Sequence, residues 1–321
     1  MINNDLFNEV LIKPSKSCNQ LNIISGYASP AMANKHLATL QNNISINLIV
    51  GMVPYDGIGI GGHNGFKALD TDSARFKCNY LITKPAVHIK SYIWLANGVP
   101  KVAFTGSGNY SQNAFFGGTI ESFAEDDPVA SNKLFELIQQ NTLSCLSNEV
   151  DSNVKFYEEL YKRNSIKNLF ETPALGNSGN KELLNDIITE DCRILTLLST
   201  RDGETHNQSG LNWGQRQGRE QNQAYIPIPA IVSQSGFFPP RANHFTLITD
   251  DNESFDCVVA QDGDKAIHST KNNSLLGKYF RKRLGVPLGE FVTRQHLQAY
   301  GRTDIKICKI DNETYFMDFS I

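Results

Sequence analysis

Apolar and polar positions in the first half of the chain switch between a strand-like and a helix-like period. "LNIISGYA" (21–28) is a short apolar run with the look of a buried strand, and "SPAMANKHLATL" after it carries helical spacing. Ser29 sits where a helix is capped, with Pro30 at the first helical position. "SINLIVGMV" (45–53) reads as a second buried strand, and the glycine-rich "YDGIGIGGHNGF" behind it as a flexible loop. In "AVHIKSYIWL" (86–95) alternation predicts a third strand, with Val87, Ile89 and Ser91 on one face and His88 and Lys90 on the other. "KVAFTGSGNY" (101–110) supplies a fourth that ends in a tight glycine turn, and "TIESFAE" (119–125) a fifth. Helical patterns, including "VKFYEELYKRN", dominate 129–170. This order implies α/β layers around a central sheet.

"ETPALGNSGNKE" (171–182) breaks the pattern with Pro, Gly, Ser and Asn, and the domain boundary is expected there, with domains at 1–172 and 180–321. Beyond it the texture changes. "RILTLLST", "AYIPIPAIV", "HFTLITD", "SFDCVVAQ", "DIKICKI" and "TYFMDFS" are short strand-like runs between Gly/Asn/Asp turns. Only "LGKYFRKRLG" and "TRQHLQAYG" look helical, so the second part reads as a small β-barrel or sandwich.

A length of 321 residues with 40% hydrophobic and 20% charged content fits two globular domains. No apolar stretch approaches the ~20 residues that span a bilayer, and "MINNDLFNEV" has no signal-peptide pattern, so a cytoplasmic location is expected. The cysteines at 18, 78, 145, 192, 257 and 308 are scattered without metal-ligand spacing and read as reduced, buried thiols. A net charge of −3 hides a split: residues 1–175 hold two arginines and residues 176–321 hold nine. Between Lys265 and Arg283 there are six Lys or Arg and no Asp or Glu, enough to grip phosphates locally.

The candidate chemistry begins with His88 and Lys90. Ser107 and Asn109, also two apart, follow a strand expected to neighbour theirs, and Glu121 lies in the next strand-like segment. Histidine serves as nucleophile or general acid, and a carboxylate on its Nδ1–H fixes the tautomer. Lysine and the asparagine amide offer the fixed donors a phosphoryl transition state needs. In "HIK" (88–90), "GSGN" (106–109) and the later Glu121 the chain resembles the phospholipase D superfamily. It departs from that pattern at Leu95, where the family has an aspartate of mainly structural role. With one HxK per chain, the resemblance implies a homodimer with two motifs meeting at a two-fold axis. One His88 would attack phosphorus to give a phosphohistidine, the other would protonate the leaving oxygen, and Lys90 and Asn109 would hold the non-bridging oxygens. No cofactor and no metal are expected.

The second half contributes two polar stretches. "SGLNWGQRQGREQNQAYIPIP" (209–229) carries Gln215, Arg216, Gln217, Arg219 and Asn222, types that pair bidentately with base edges. "KAIHSTKNNSLLGKYFRKR" (265–283) carries Lys271, Asn272, Asn273, Lys278, Arg281 and Arg283, and Arg201 joins them as a further candidate DNA contact. Trp213 reads as a packing anchor, and Asn273 equally as a helix cap. "GLNWGQRQGR", "NQAYIPIP", "HSTKNNSLLGKYF" and "RKRLGV" resemble the B3-like DNA-binding domain of certain restriction enzymes and plant transcription factors, a seven-stranded open barrel with two arms that clasp the major groove. The two domains in this order resemble the NgoFVII-type restriction endonucleases.

That resemblance implies an α/β phospholipase D-like nuclease domain with a central mixed sheet and flanking helices, then a mainly-β B3-like domain. It implies a metal-independent, type II-like endonuclease acting on double-stranded DNA at or near a specific sequence. It further implies a cognate DNA methyltransferase and, for some members, a separate ATP-driven helicase-like subunit; this chain has no P-loop. A phospholipid hydrolase shares the first motif but is disfavoured by the second domain and by the lack of an amphipathic membrane-binding segment. A DNA-binding regulator with an inactive nuclease domain is disfavoured by the intact His88, Lys90, Asn109 and Glu121. "GIGIGGHNG" lacks the dinucleotide register, His63 reads as a surface loop residue, and His206, His268 and His296 lack metal-ligand spacing. "FAEDDP" (123–128) reads as a solvated turn or helix start.

Overall fold

A computed structural model describes residues 1–159 and 191–321, in two compact units of which the first ends at Glu159. The boundary expected at 171–182 lies outside the described residues, as does the end of "VKFYEELYKRN" from residue 160 on.

The first unit is built on a seven-stranded mixed sheet. Its strands are β1 (Gln20–Ser25), β2 (Ser45–Val50), β4 (Phe76–Leu81), β5 (Ser91–Ala96), β6 (Val99–Gly106), β7 (Phe123–Asp126) and β8 (Thr142–Ser144). A small separate pair joins β3 (Ile58–Gly59) to β9 (Phe156–Tyr157). The order across the sheet is β7-β6-β5-β1-β2-β4-β8, with β1–β2 and β2–β4 parallel and the other neighbours antiparallel. The central strands are covered on both faces, which is why they read as apolar runs rather than alternating ones. Leu21 and Ile23 of β1 pack into a large cluster with Met32 and Leu37 of α1 (Pro30–Thr39) and Phe66 and Leu69 of α3 (Ile60–Asp72). Ile24 faces the other way, with Phe135 and Ile138 of α5 (Pro128–Gln139). Amides continue that second face: Asn47 donates to Asn22 at 2.9 Å and Asn22 to Asn132 of α5 at 3.0 Å.

Local sequence signals account for several ends. The Ser29 hydroxyl accepts from Met32 N at 3.1 Å and Asp127 caps α5, whose first residue is Pro128. The glycine-rich segment differs from expectation. Residues 60–72 form α3 rather than a loop, because Phe66 and Leu69 fall on one face and bury there. His63 is accordingly buried, its Nδ1 3.0 Å from the Tyr80 hydroxyl, not a surface residue. Residues 156–157 are a short strand, not helix. Where the family aspartate would stand, Leu95 is buried between β1 and β6. The adjoining turn is braced instead by amides: Asn97 and Gly98 both have positive φ, and Asn19 and Asn97 exchange hydrogen bonds of 2.8 and 3.2 Å.

The second unit holds a seven-stranded sheet. Its strands are β10 (Cys192–Thr196), β11 (Ile226–Pro227), β12 (His244–Thr249), β13 (Ser254–Ala260), β14 (Ala266–Ser269), β15 (Asp304–Lys309) and β16 (Thr314–Asp318). They follow the order β10-β15-β16-β12-β13-β14-β11, and the end strands β10 and β11 approach each other, so the sheet nearly closes. Its interior is apolar, with Leu195, Phe245, Leu247, Ile267, Ile305 and Tyr315 buried. The short α7 (Ala230–Ser233) replaces the end of one expected strand, and α8 (Ser274–Leu284) and α9 (Arg294–Tyr300) are the expected helices. One cysteine expectation is overturned. Cys192 and Cys308 face each other across β10 and β15 and form a disulfide, while Cys18, Cys78, Cys145 and Cys257 are free and buried.

Two buried histidines make the first unit acid-sensitive. Burial pushes His36, bonded to the Tyr110 hydroxyl at 2.9 Å, down to about 3, and His63 down to about 4. Both stay neutral in the folded unit while the unfolded chain takes up protons below about 6.5. Their contribution to stability is therefore full above that pH and is lost as pH falls toward the folded values, by up to about 1.4 kcal/mol per pH step for each. In a Trp213→Phe background, where Trp94 alone reports unfolding, the denaturation midpoint should fall between pH 7 and 4. His36→Gln should flatten the upper part of that fall, and an unchanged profile would contradict the assignment.

Candidate active site and nucleic-acid interface

In the first unit, the C-terminal ends of β1, β2 and β6 and the N-terminal ends of β5 and β7 share one edge of the sheet, as the pairs Ile24↔Ser91, Ser91↔Thr105 and Gly106↔Phe123 require. His88 and Lys90 reach it on an extended lead-in, because β5 itself begins only at Ser91. The lead-in is pinned at both ends: Val87 N donates to Gly51 O at 3.0 Å, and Lys90 O accepts from Gly106 N at 3.1 Å. Gly51 has to be glycine for the first contact, since a Cβ there would lie 2.1 Å from the Val87 carbonyl oxygen. The expected two-face alternation is also altered: His88 and Ile89 are exposed, while Lys90 and Ser91 are buried.

The Lys90 ammonium lies 3.0 and 3.1 Å from the two ring nitrogens of His88 and donates to the His88 carbonyl at 2.8 Å. Burial lowers its pKa below the ordinary lysine value, and the Glu121 carboxylate acts in the opposite direction. Asn109 approaches from the turn after β6. Its Oδ1 accepts from Tyr27 N at 3.2 Å, which fixes the amide orientation and leaves Nδ2 as the donor end. Gly26 lies close to both: a Cβ there would lie 3.0 Å from the His88 ring and 3.4 Å from Asn109 Oδ1. Ser107 and Glu121 form a second group. The Ser107 hydroxyl donates to Glu121 Oε2 and accepts from Ser122 N at 3.1 Å, while Thr119 donates to Glu121 Oε1 at 2.8 Å. Glu121 therefore acts on the site through charge on Lys90, and its hydrogen bonds go to Ser107 and Thr119 rather than to the His88 ring. Among the described residues no group of three His, Cys, Asp or Glu side chains is arranged to hold a metal ion.

The polar stretches of the second unit divide by burial. Residues 210–215 form a 3-10 turn whose Trp213 is buried against Tyr225 and His268. Arg219 lies over the Trp213 ring at 3.8 Å and donates to Gln223 at 2.8 Å, while Arg216 donates to Gln208 O at 2.6 Å. Arg201, Arg216, Gln217, Arg219, Lys271, Asn272 and Lys278 are exposed. Other members of the set are internal braces. Gln215 donates to Gln221 O and Gly289 O, and buried Asn222 links Glu220 to Gly289 N.

Arg281, read from sequence as a DNA contact, is fully buried and donates to Glu290 O, Gly277 O and Gln221 O. Arg283 is held by Asp250, Tyr279, Tyr300 and Phe319 O, and its pKa is raised by the carboxylate. Neither guanidinium is offered to a phosphate. Asn272, not Asn273, supplies the side-chain cap of α8, accepting from Ser274 N at 2.9 Å; Asn273 contributes its carbonyl to Ala224 N. Glu220, which lies inside the first stretch, accepts from the Ser274 hydroxyl and from Asn222, so the two stretches are tied together at the start of α8.

Residues 4–152 match the family model of the NgoFVII restriction endonuclease N-terminal PLD domain, and residues 187–311 match that of the NgoFVII C-terminal B3-like DNA-binding domain. Among solved structures, the chain is similar to NucT from Helicobacter pylori at 20% identity, over 44% of this chain and 91% of that one, with a TM-score of 0.32. It is also similar to a polyphosphate kinase from Porphyromonas gingivalis at 12% identity, over 43% of this chain and 21% of that one, with a TM-score of 0.31. No curated protein matches the chain. The first unit is thus a PLD-like domain and the second a B3-like DNA-binding domain with a nearly closed sheet.

Gly26 gives the site a sharp test. Gly26→Ala puts a methyl 3.0 Å from the His88 ring, which must give by a few tenths of an ångström, and should lower DNA cleavage at least about tenfold, or 1.4 kcal/mol in the barrier. The unfolding midpoint should move little, because the His88 ring can swing toward solvent. Unchanged cleavage would show that the seat of the His88 ring beside Gly26 does not matter to the reaction.

Proposed function

We propose that this chain, which belongs to the NgoFVII restriction endonuclease family, cleaves double-stranded DNA at or near a specific sequence through a covalent phosphohistidine at a dimer-interface site. The observation that carries the reading is the exposed His88 ring with the Lys90 ammonium against it and the Asn109 amide beside it at one sheet edge. One His88 attacks phosphorus and the bond to the leaving oxygen breaks. The His88 of a second copy gives that oxygen a proton. Water then attacks the phosphohistidine, passes a proton to the second histidine and releases the first. Lys90 and Asn109 hold the non-bridging oxygens, where negative charge gathers, so no metal ion is needed for the step. Ser107 and Glu121 support the lysine side of the site.

Homodimerisation through the first domain follows in this reading from the single HxK in each chain. In the second domain the DNA-contacting set is Arg201, Arg216, Gln217, Arg219, Lys271, Asn272 and Lys278, whose exposure supports it. Gln215, Asn222, Asn273, Arg281 and Arg283 hold the arms in shape. A cognate methyltransferase and a separate ATP-driven helicase-like subunit are further partners in the proposed system, with the chain acting in the cytoplasm. Among the described residues no helix is long and apolar enough to cross a membrane.

Plasmid cleavage with EDTA present tests the reading. Wild-type protein should cut, and His88→Ala should bind the same DNA while cutting at least about a thousandfold more slowly. Undiminished cutting by His88→Ala would refute the nucleophile, and an absolute need for Mg²⁺ in the cutting step would refute metal independence.

A further inference from the structure

Tyr27 touches several parts of the first-unit site without belonging to the HxK or GSxN segments. It follows Gly26 at the end of β1 and is 44% exposed. Its amide donates to Asn109 Oδ1 at 3.2 Å. Its carbonyl accepts from the Ser25 hydroxyl, which in turn accepts from Tyr110 N at 2.9 Å. Its ring meets the His88 imidazole edge to face, with centroids 6.1 Å apart and planes at 79°. The phenol donates to Asp56 Oδ2, on the last residue of α2 (Val53–Asp56), which follows β2.

A solvent-exposed imidazole has two free torsions, and attack on phosphorus uses only a narrow part of that freedom. Lys90 lies nearly equidistant from both ring nitrogens, so it does not choose between ring orientations. The aromatic edge does, because one tilt of the ring keeps the contact and others lose it. Tyr27 is itself exposed, and a hydrogen bond at its far end narrows the motion of its ring. Asp56 supplies that anchor from the end of α2, which follows the neighbouring β2. Burial, with the Asp56 carboxylate adding to it, pushes the phenol up to about 12, so the anchoring donor keeps its proton at neutral pH.

We propose that Tyr27, anchored by Asp56, is a positioning residue that sets the His88 ring and the Asn109 amide in the geometry of attack. It is not a catalytic residue, since no step passes through its hydroxyl. The role rests on the phosphohistidine reading of the same site.

Single-turnover cleavage of DNA at sites mapped with the wild type tests it, with enzyme in excess and any partner subunit the wild type requires. Tyr27→Ala should lower the rate constant roughly 10- to 100-fold, at full amplitude and unchanged DNA affinity. Tyr27→Phe keeps the ring and loses only the anchor, so it should recover most of the rate, to within about fivefold of wild type; Asp56→Ala should match it. A Tyr27→Ala rate within twofold of wild type would overturn the proposal. So would a loss of amplitude at an unchanged rate constant, the mark of a misfolded fraction, or an equal loss in Tyr27→Phe. His88→Ala is run beside them. If it cuts like wild type, the phosphohistidine reading fails, whatever the Tyr27 variants do.

Discussion

The first-unit site depends on one close backbone approach. Val87 presses its carbonyl against Gly51 at the end of β2 so tightly that a side chain at 51 would overlap it. That contact, with the Val87 N to Gly51 O hydrogen bond, seats residues 86–90 over the edge of a sheet buried on both faces. An exposed histidine and a buried lysine two residues apart are then brought together although their segment belongs to no strand. Functional groups on a short irregular segment are held in place by the rigid elements at its ends. Here those elements are β2 before the motif, and β5 and β6 after it.

A similar division between exposed chemistry and internal bracing shapes the second unit. Six polar groups of the two arms, Glu220, Asn222, Gln215, Ser274, Asn272 and Arg281, bond mainly to one another or to nearby backbone. Around its buried members, Asn222, Ser274 and Arg281, such a network is costly if left half satisfied and rigid when complete. The arginines and lysines left exposed are thus displayed from fixed arms, which reduces the ordering that groove contact would otherwise demand.

Much of this was legible in the residues. The buried strands β1 and β2, the strand β6 before its glycine turn, the capped helix at Ser29 and Pro30, and the short-strand texture of the second half all follow from hydrophobic period and turn chemistry. HxK, GSxN and the later Glu121 point to the PLD-like domain because they are short, ordered and chemically specific. Other features were hidden for physical reasons. A helix starting at Ile60 was masked by glycines, whose low propensity was overridden by burial of Phe66 and Leu69. The roles of Arg281 and Arg283 were hidden because a basic run looks the same whether its guanidiniums face solvent or carbonyls. Tyr27 and Asp56 are 29 residues apart, and no local pattern links them. Cys192 and Cys308, 116 residues apart, become neighbours only through the antiparallel pairing of β10 and β15.

In the proposed reaction phosphorus passes through His88 on its way to water. Cleavage in isotopically labelled water, at a scissile phosphorothioate of known handedness, reads this directly. Two successive in-line displacements restore the starting configuration, so retention at phosphorus is the expected result. Inversion would mean a single direct attack by water and would contradict it.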